Sequence, residues 1–239
     1  MRIVPIASSS KGNAYVVEHD GAALLIDCGV PYRMLKGIEV DAVLVTHSHS
    51  DHISGLETLL RRRDVPVYAN VMTAESVAAS AHVDDGAFVC FENGQTFGIG
   101  PFSITPFSVP HDTSDPVGYL VRADGVTYFH GTDIGSPLDS IGVKLAEADI
   151  ATLESNHDPV MLRTSTRPPS LKQRIAGPRG HLSNDQACDL VRRFASPRLR
   201  RLMLAHLSHE CNTPGLALDA MRAVLAEIGR PDVEVEVLG

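Results

Sequence analysis

The sequence predicts an α/β fold in which two β-sheets pack face to face with helices on the outside. Strand-like and helix-like segments are interleaved in both halves of the 239-residue chain, which is the pattern of a layered α/β architecture. Hydrophobic residues make up 44% and charged residues 21%, which is close to ordinary globular usage and excludes a disordered or fibrous chain. We therefore expect one folded domain over residues 1–239.

The N-terminal half alternates short strands with short helices. The turn clusters SSSKGN and HDG separate the first three strands, and a proline near the first turn favours a short helix over Pro31–Ile38. The run AVLVT at 42–46 is β-branched and uninterrupted, which is typical of a buried strand. Helices should follow at about Ile53–Arg63 and at Met72–Ser80. The predicted strands are Arg2–Ala7, Tyr15–Glu18, Ala22–Asp27, Ala42–Thr46, Val65–Ala69, Phe88–Phe91 and Phe102–Val109.

The C-terminal half repeats this alternation. Helices are predicted near Asp185–Ala195 and Leu216–Ile228, where apolar residues recur at helical spacing. The last predicted strand, Val233–Val237, should lie at a sheet edge. The other strands of this half are expected at Gly118–Arg122, Val126–His130, Ile150–Leu153 and Leu202–Ala205.

A dense group of potential metal ligands follows the buried strand at 42–46. The hexapeptide His47-Ser48-His49-Ser50-Asp51-His52 places three imidazoles and one carboxylate in a loop. The two-residue period of a strand puts His47 and His49 on one side, and Asp51 and His52 lie at the turn into the next helix. Imidazole suits zinc, whereas carboxylate oxygens also admit manganese, iron or magnesium. The hexapeptide therefore predicts a divalent metal site.

Three later strand ends offer further ligands. His111 follows a strand in SVPHD, Asp133 follows one in HGTD, and His206 follows one in LAHLSH. Strand ends that give way to loops are where open α/β sheets collect their sites. Together with the hexapeptide, these residues would complete two coordination shells with room for water, which is the catalytic pattern.

These motifs resemble the metallo-β-lactamase superfamily. THSHSDH, SVPHD, GTD, GHLSN and LAHLSH occur in the superfamily's order, and SSSKGN, LLIDCG, HDTSDPVGY, LESNHD, LKQRI and LAHLSHECNTP resemble its YycJ/WalJ (VicX)-type branch. The resemblance covers nearly the whole chain. It implies an αββα sandwich of two mixed β-sheets flanked by helices, with two divalent ions, most simply zinc or manganese. It also implies His47, His49 and His111 on one ion, Asp51, His52 and His206 on the other, and Asp133 bridging them.

The resemblance also implies roles for residues outside this ligand set. His181 of GHLSN matches the histidine that phosphodiesterase branches place beside the scissile phosphate, and Glu154 would orient it. Asp27, at the end of a predicted strand, would accept the second N–H of a ligating histidine, as carboxylates around metal sites do. Asp51 would contribute to catalysis as well as to metal binding. No role is assigned to four residues: His130, His157, His209 and Cys211.

The charge distribution indicates the substrate. The net charge is −8, but residues 159–201 hold ten basic and two acidic residues, so that segment is +8 and the rest −16. No acid occurs from Pro159 to Asn184, where we expect a basic loop. If this segment borders the site, it would bind phosphates, whereas charge runs elsewhere are usually solvated surface. The candidate substrate-binding residues are Arg163, Arg167, Lys172, Arg174 and Arg179.

The motifs and the basic segment predict a metal-dependent nuclease, and the resemblance implies a DNA exonuclease connected with repair. The alternatives are an RNA-processing nuclease, a thioesterase or lactam-type carbonyl hydrolase, and a regulatory metal-binding module of low activity. The sequence has no signal peptide, no membrane-length apolar run and no paired cysteine spacing, so we expect a reduced, cytoplasmic protein without membrane association. A nucleic acid, DNA rather than RNA, is the expected partner, and a homo-oligomer is left open.

Overall fold

The computed structural model describes residues 1–238, which form two compact units. The N-terminal unit consists of Met1–Ser108, Thr113–Val117 and Val121–Gly125. The C-terminal unit consists of Val109–Asp112, Gly118–Leu120 and the chain from Val126 to the last described residue. No helix among these residues is long and apolar enough to cross a membrane.

The first sheet is mixed and has the strand order β1-β2-β3-β4-β5-β6. β1, β2 and β3 pair antiparallel through tight turns, whereas β3 to β6 pair parallel and have helical segments in their connections. Its strands are β1 (Arg2–Ser9), β2 (Gly12–His19), β3 (Ala22–Ile26), β4 (Ala42–Leu44), β5 (Val67–Asn70) and β6 (Phe88–Phe91).

The helices of the N-terminal unit cover the core of this sheet. The predicted helix at 53–63 is instead two short helices, α1 (Ser50–Ile53) and α2 (Leu56–Leu60), and the predicted helix at 31–38 is only a 3-10 turn at Tyr32–Met34. The third helix, α3 (Val71–Ala81), begins at Asn70, whose side chain caps it. The shared core includes Leu25, Val43, Leu56, Leu59 and Val77.

Gly55 explains why the predicted helix is interrupted. A Cβ atom at Gly55 would lie 2.0 Å from the carbonyl oxygen of Val30, so the backbone can approach there only without a side chain. The Gly55 N–H donates to the carbonyl of Cys28 at 2.8 Å. The chain therefore leaves the helical path where it docks against the Cys28–Val30 turn.

The second sheet is also mixed and has the order β13-β12-β11-β10-β9-β8-β7. Strands β10 to β13 are parallel, and β7 and β8 form an antiparallel hairpin. The predicted edge position of the last strand is confirmed. The sequence analysis missed the three-residue strand β7. The strands are β7 (Phe97–Ile99), β8 (Phe102–Ser108), β9 (Val117–Ala123), β10 (Val126–Gly131), β11 (Ile150–Glu154), β12 (Arg201–Ala205) and β13 (Glu234–Val237).

Five helices belong to the C-terminal unit. α7 begins with a capping box in which Ser183 caps the backbone of Gln186 and the Gln186 side chain accepts from Ser183, and its apolar face is buried. The prediction of a basic loop before it is wrong, because α5 and α6 each begin with proline at an early helical position and form two short helices there. The five are α4 (Asp139–Leu145), α5 (Pro159–Thr164), α6 (Pro169–Ala176), α7 (Asn184–Phe194) and α8 (Pro214–Glu227).

Candidate metal centre

The hexapeptide connects β4 to α1 in the N-terminal unit. His47 is 1% exposed and its ring centroid lies 4.8 Å from that of His49 and 4.0 Å from that of His52. His49 is the residue before α1, and Asp51 lies in its first turn. The Asp51 carboxylate is 3.6 Å from His52 Nε2. Three imidazoles and one carboxylate therefore converge, as the strand-to-helix turn predicts.

A buried carboxylate fixes two of these rings. Asp27 is fully buried, and its Oδ2 accepts from His52 Nδ1 at 2.7 Å. Its two oxygens also accept from the backbone N–H and the hydroxyl of Thr46, each at 2.8 Å. The Thr46 oxygen in turn lies 3.0 Å from His47 Nδ1, where it accepts. Both rings thus turn their Nε2 atoms away from Asp27, which is the orientation of a ligating histidine.

Asn13 is a site residue that the sequence analysis did not single out. Its Nδ2 lies 3.0 Å from His52 Nε2 and 3.3 Å from Asp51 Oδ2. Gly29 lets the neighbouring turn approach, since a Cβ atom there would lie 1.6 Å from the Asp51 carbonyl oxygen. Asn13 ends the SSSKGN turn, one of the motifs of the YycJ/WalJ-type branch, so the signal for this residue lies in that motif.

The C-terminal unit holds a second cluster. One ligand atom from each of Asp133, Glu154, His181 and His206 lies within 4.8 Å of the others. Asp133 Oδ1 is 3.4 Å from His111 Nε2, 3.5 Å from His181 Nδ1 and 3.6 Å from His206 Nδ1. All five side chains are buried except that of His181, which is 19% exposed. His181 is therefore the ring of this cluster that an incoming molecule can reach.

Glu154 contacts two rings of this cluster directly, whereas Asp27 in the other unit contacts His52 directly and His47 through Thr46. Its Oε1 accepts from His181 Nδ1 at 2.8 Å and from His206 Nδ1 at 2.9 Å. Its Oε2 accepts from the backbone N–H groups of Ile134 and Leu182. Burial alone would raise the pKa of Glu154, but the charge of His181 and the two imidazole hydrogen bonds lower it to about 2. Glu154 is therefore an ionised, buried acceptor.

His111 is fixed through its other nitrogen. Its Nδ1 donates to the carbonyl of Gly180 at 2.9 Å, which directs Nε2 toward Asp133. Burial lowers the pKa of His111, and the carboxylate of Asp133 opposes that effect. A neutral imidazole with a directed Nε2 is the form that binds a metal ion.

Three of these residues have a left-handed backbone. Asp27, Asp133 and His206 have φ values of 59°, 57° and 57°. Such φ values are uncommon outside glycine and concentrate at turns and functional sites, where the surrounding structure holds them. All three follow the last residues of strands, so the strained conformation redirects their side chains just beyond the sheet.

The five candidate substrate-binding residues differ in their surroundings. Arg163 and Lys172 have no carboxylate partner within ion-pair distance among residues 1–238, and the Lys172 ammonium donates to the carbonyl of Arg163. Arg167 Nε donates to Glu210 at 3.0 Å, and Arg174 Nε donates to Asp112. Arg179 Nε donates to the carbonyl of His111 at 2.8 Å.

The four residues to which no role was assigned lie in different surroundings. His130 is fully buried, with Nδ1 3.0 Å from the Tyr128 hydroxyl, and His209 is exposed. Cys211 is buried against Leu162. His157 is 3% exposed and its Nδ1 has no hydrogen-bond partner.

The donor chemistry of both clusters, imidazole nitrogens and carboxylate oxygens, fits divalent ions. The family model described as "Beta-lactamase superfamily domain" matches residues 24–207. The chain belongs to the metallo-β-lactamase superfamily. Within the superfamily, it is 33% identical over 234 residues to exodeoxyribonuclease WalJ of Streptococcus pneumoniae (serotype 2, strain D39), which covers 93% of this chain and 87% of that protein. It is also 33% identical over 236 residues to exodeoxyribonuclease YycJ of Bacillus anthracis, covering 94% and 89%.

These relatives confirm the YycJ/WalJ branch of the superfamily. Among solved structures, YhfI of Bacillus subtilis, described as a metallo-β-lactamase fold protein, superposes with a TM-score of 0.75 at 19% identity and covers 98% of this chain and 95% of that one. The predicted fold class, two mixed sheets with flanking helices, is therefore confirmed.

Proposed function

We propose that this protein is a metal-dependent DNA exonuclease. The broader class, a metal-dependent hydrolase of the nuclease type, follows from its superfamily and from two relatives named exodeoxyribonucleases. The observation that carries the proposal is the partly exposed His181 ring, anchored to buried Glu154 beside Asp133 and His206. A thioesterase has less use for this ring, because a thiolate leaves without a proton whereas the alkoxide of a sugar requires one.

We assign two divalent ions, zinc or manganese, to the predicted ligands. His47, His49 and His111 would hold one ion, Asp51, His52 and His206 the other, and Asp133 would bind both. Four of the imidazoles use Nδ1 to contact a buried oxygen and turn Nε2 away from it, which supports the assignment. When bound, such a pair of ions supplies a water of lowered pKa and offsets phosphate charge.

The residues of the chain account for the proton. Glu154 fixes His181 Nδ1, so Nε2 is the nitrogen that would face a leaving oxygen. In this role Nε2 of His181 would act as a general acid and donate a proton to the departing sugar oxygen. Asp51 would contribute as a ligand that also borders the reacting phosphate.

End-labelled duplex DNA with blunt, recessed and phosphorylated ends tests the activity. We expect shortening from the ends that requires added Mn²⁺ or Zn²⁺ and stops with EDTA. Single-stranded RNA and a chromogenic lactam serve as parallel substrates. Preferred digestion of RNA would transfer the proposal to RNA processing, and hydrolysis of the lactam alone would contradict a nuclease.

Metal content tests the two-ion assignment. Asp133→Asn should lose more metal than any single histidine variant, because a bridging carboxylate also offsets the repulsion between two cations. Elemental analysis of purified protein measures this directly. One tightly held ion that Asp133→Asn leaves in place would contradict a dinuclear centre.

The cellular setting is proposed from the thiols. All four cysteines are free, and burial raises the pKa of Cys28 to about 12 and of Cys188 to about 11. Such unreactive thiols suit the reducing cytoplasm, where a repair exonuclease would meet DNA. Cell fractionation with an antibody to the protein tests the location.

A further inference from the structure

We propose that Arg174 and Arg179 are positioning residues for His111, rather than phosphate-binding residues. They belong to the α5–α6 segment, residues 159–180, which we infer to be a clasp that fixes the loops of His111 and His206. The inference rests on the proposed function, in that it takes His111 and His206 as metal ligands.

Two consecutive residues of the clasp hold His111. Gly180 accepts from His111 Nδ1 at 2.9 Å, and Arg179 Nε donates to the His111 carbonyl at 2.8 Å. The ring and the backbone of the same histidine are therefore fixed together. Gly180 itself lies tightly against α6, since a Cβ atom there would be 2.2 Å from the carbonyl oxygens of Arg174 and Ile175. The position of His111 is thus set by the end of α6.

The residues beside His111 and Asp133 are tied to the same place. Arg174 Nε and the Asp112 carboxylate are 2.5 Å apart, which secures the residue that follows His111. Gly135 donates to the carbonyl of Pro110 at 2.6 Å, and a Cβ atom at Gly135 would lie 2.5 Å from Arg179 Cα. The backbone around Arg179 therefore packs directly on the loop that follows Asp133.

The other end of the clasp contacts the loop that follows His206. Arg167 pairs with Glu210 at 3.0 Å, and Asp158, which caps α5 just before the clasp, donates its N–H to the Cys211 carbonyl at 2.8 Å. Cys211 is fully buried in a small cluster with Leu162 of α5 and Ile175 of α6. These contacts give a role to Cys211, a buried thiol that packs the clasp on the His206 loop.

Paired variants separate positioning from phosphate binding. Arg179→Met removes the donor and the charge, Arg179→Lys keeps the charge but removes the Nε donor, and Lys172→Met removes a charge from the same segment as the control. Mn²⁺ is titrated into EDTA-stripped protein by calorimetry. The salt dependence of duplex DNA binding is measured in EDTA, where DNA stays intact. Thermal unfolding of each variant checks that it is folded.

Both Arg179 variants should weaken Mn²⁺ binding by about 10–100-fold, the range for lost partners of a ligating histidine, and leave the DNA salt slope unchanged. Lys172→Met should keep wild-type Mn²⁺ affinity and reduce the slope by about one. Wild-type Mn²⁺ affinity in Arg179→Met, together with a shallower slope that Arg179→Lys restores, would overturn the inference. If an Arg179 variant does not fold, Arg174→Met gives the same readouts against the same control. Failure of wild-type protein to bind either Mn²⁺ or Zn²⁺ would instead contradict the proposed function.

Discussion

At the scale of single residues, the site depends on which ring nitrogen each histidine presents. Glu154 fixes the Nδ1 atoms of both His181 and His206, yet only His181 is partly exposed. One buried carboxylate therefore serves two rings with different proposed tasks. The sequence analysis placed Glu154 at a strand end beside His181 and missed its contact with His206. That contact depends on the left-handed backbone of His206, which no local pattern encodes.

His181→Ala should separate proton donation from metal binding. The variant should retain its metal and slow the cleavage of DNA by roughly 10²–10⁴-fold, as expected for a lost general acid. Bis(p-nitrophenyl) phosphate should be affected far less, because p-nitrophenolate departs without a proton. The measurement compares kcat/KM on both substrates alongside elemental analysis. Equal losses on both substrates, with metal still bound, would mean that His181 positions phosphate instead. The comparison variant His47→Ala should slow both reactions.

His157 should make the metal-free protein sensitive to mild acid. Burial lowers the pKa of His157 to about 4, well below the unfolded value of 6.5. The unfolded chain therefore takes up a proton first, so the free energy of unfolding should fall as pH drops from about 6.5 to about 4, by up to about 3 kcal/mol. Well above pH 6.5 the histidine is neutral in both states and has no effect.

Thermal melts in EDTA between pH 4 and pH 8 measure this contribution. His157→Gln should flatten the dependence, whereas His209→Gln, which changes an exposed histidine, should leave it as in the wild type. An unaltered profile in His157→Gln would assign the acid sensitivity to other groups.

At the scale of elements, the candidate ligands could be named from the sequence because each group of them comes soon after a strand. Strand identity depends on apolar runs such as AVLVT, which local sequence records well. The helices α5 and α6 were missed because six to eight residues are too few to show a clear helical periodicity. They pack on distant residues, as Leu162 and Ile175 do on Cys211, and sequence spacing does not reveal such contacts.

Gly55 gives a test of the interrupted helix. Gly55→Ala should destabilise the fold by about 3 kcal/mol, because the new methyl group would meet the Val30 carbonyl oxygen at 2.0 Å. Gly215→Ala, in the first turn of α8 with no atom within 4 Å of the added group, should be neutral or stabilising by up to about 1 kcal/mol. Urea denaturation measures both. Similar free energies of unfolding for the two variants would show that the backbone at Val30 can shift to accommodate the added methyl group at little cost.

At the scale of the whole molecule, many of the basic residues that the sequence concentrates in one segment form ion pairs in the folded protein. Most basic residues of the segment 159–201 pair with acids from outside it, among them Asp112, Asp149, Glu210, Glu227 and Glu236. A net charge of +8 in sequence is therefore not a patch of that charge on the surface. The acids come from distant parts of the chain, so the sequence analysis could count the cations without knowing which were neutralised.

DNA binding should therefore depend on the cations that lack carboxylate partners. Replacing Arg163 and Lys172 together with Gln should weaken binding to all DNA sequences alike and make the slope of log affinity against log salt shallower by about two, since each phosphate contact contributes about 0.9. The matched control, Arg198→Gln with Arg200→Gln, removes the same charge from two residues that pair with Asp149.

Because the net charge of both double variants is equal, a general field effect would change both slopes together, whereas a local contact changes only the first. Fluorescence anisotropy with labelled duplex DNA in EDTA, over a series of salt concentrations, measures the slopes. Equal slopes in the two double variants would mean that Arg163 and Lys172 are ordinary solvated surface residues. Other residues would then have to bind the DNA.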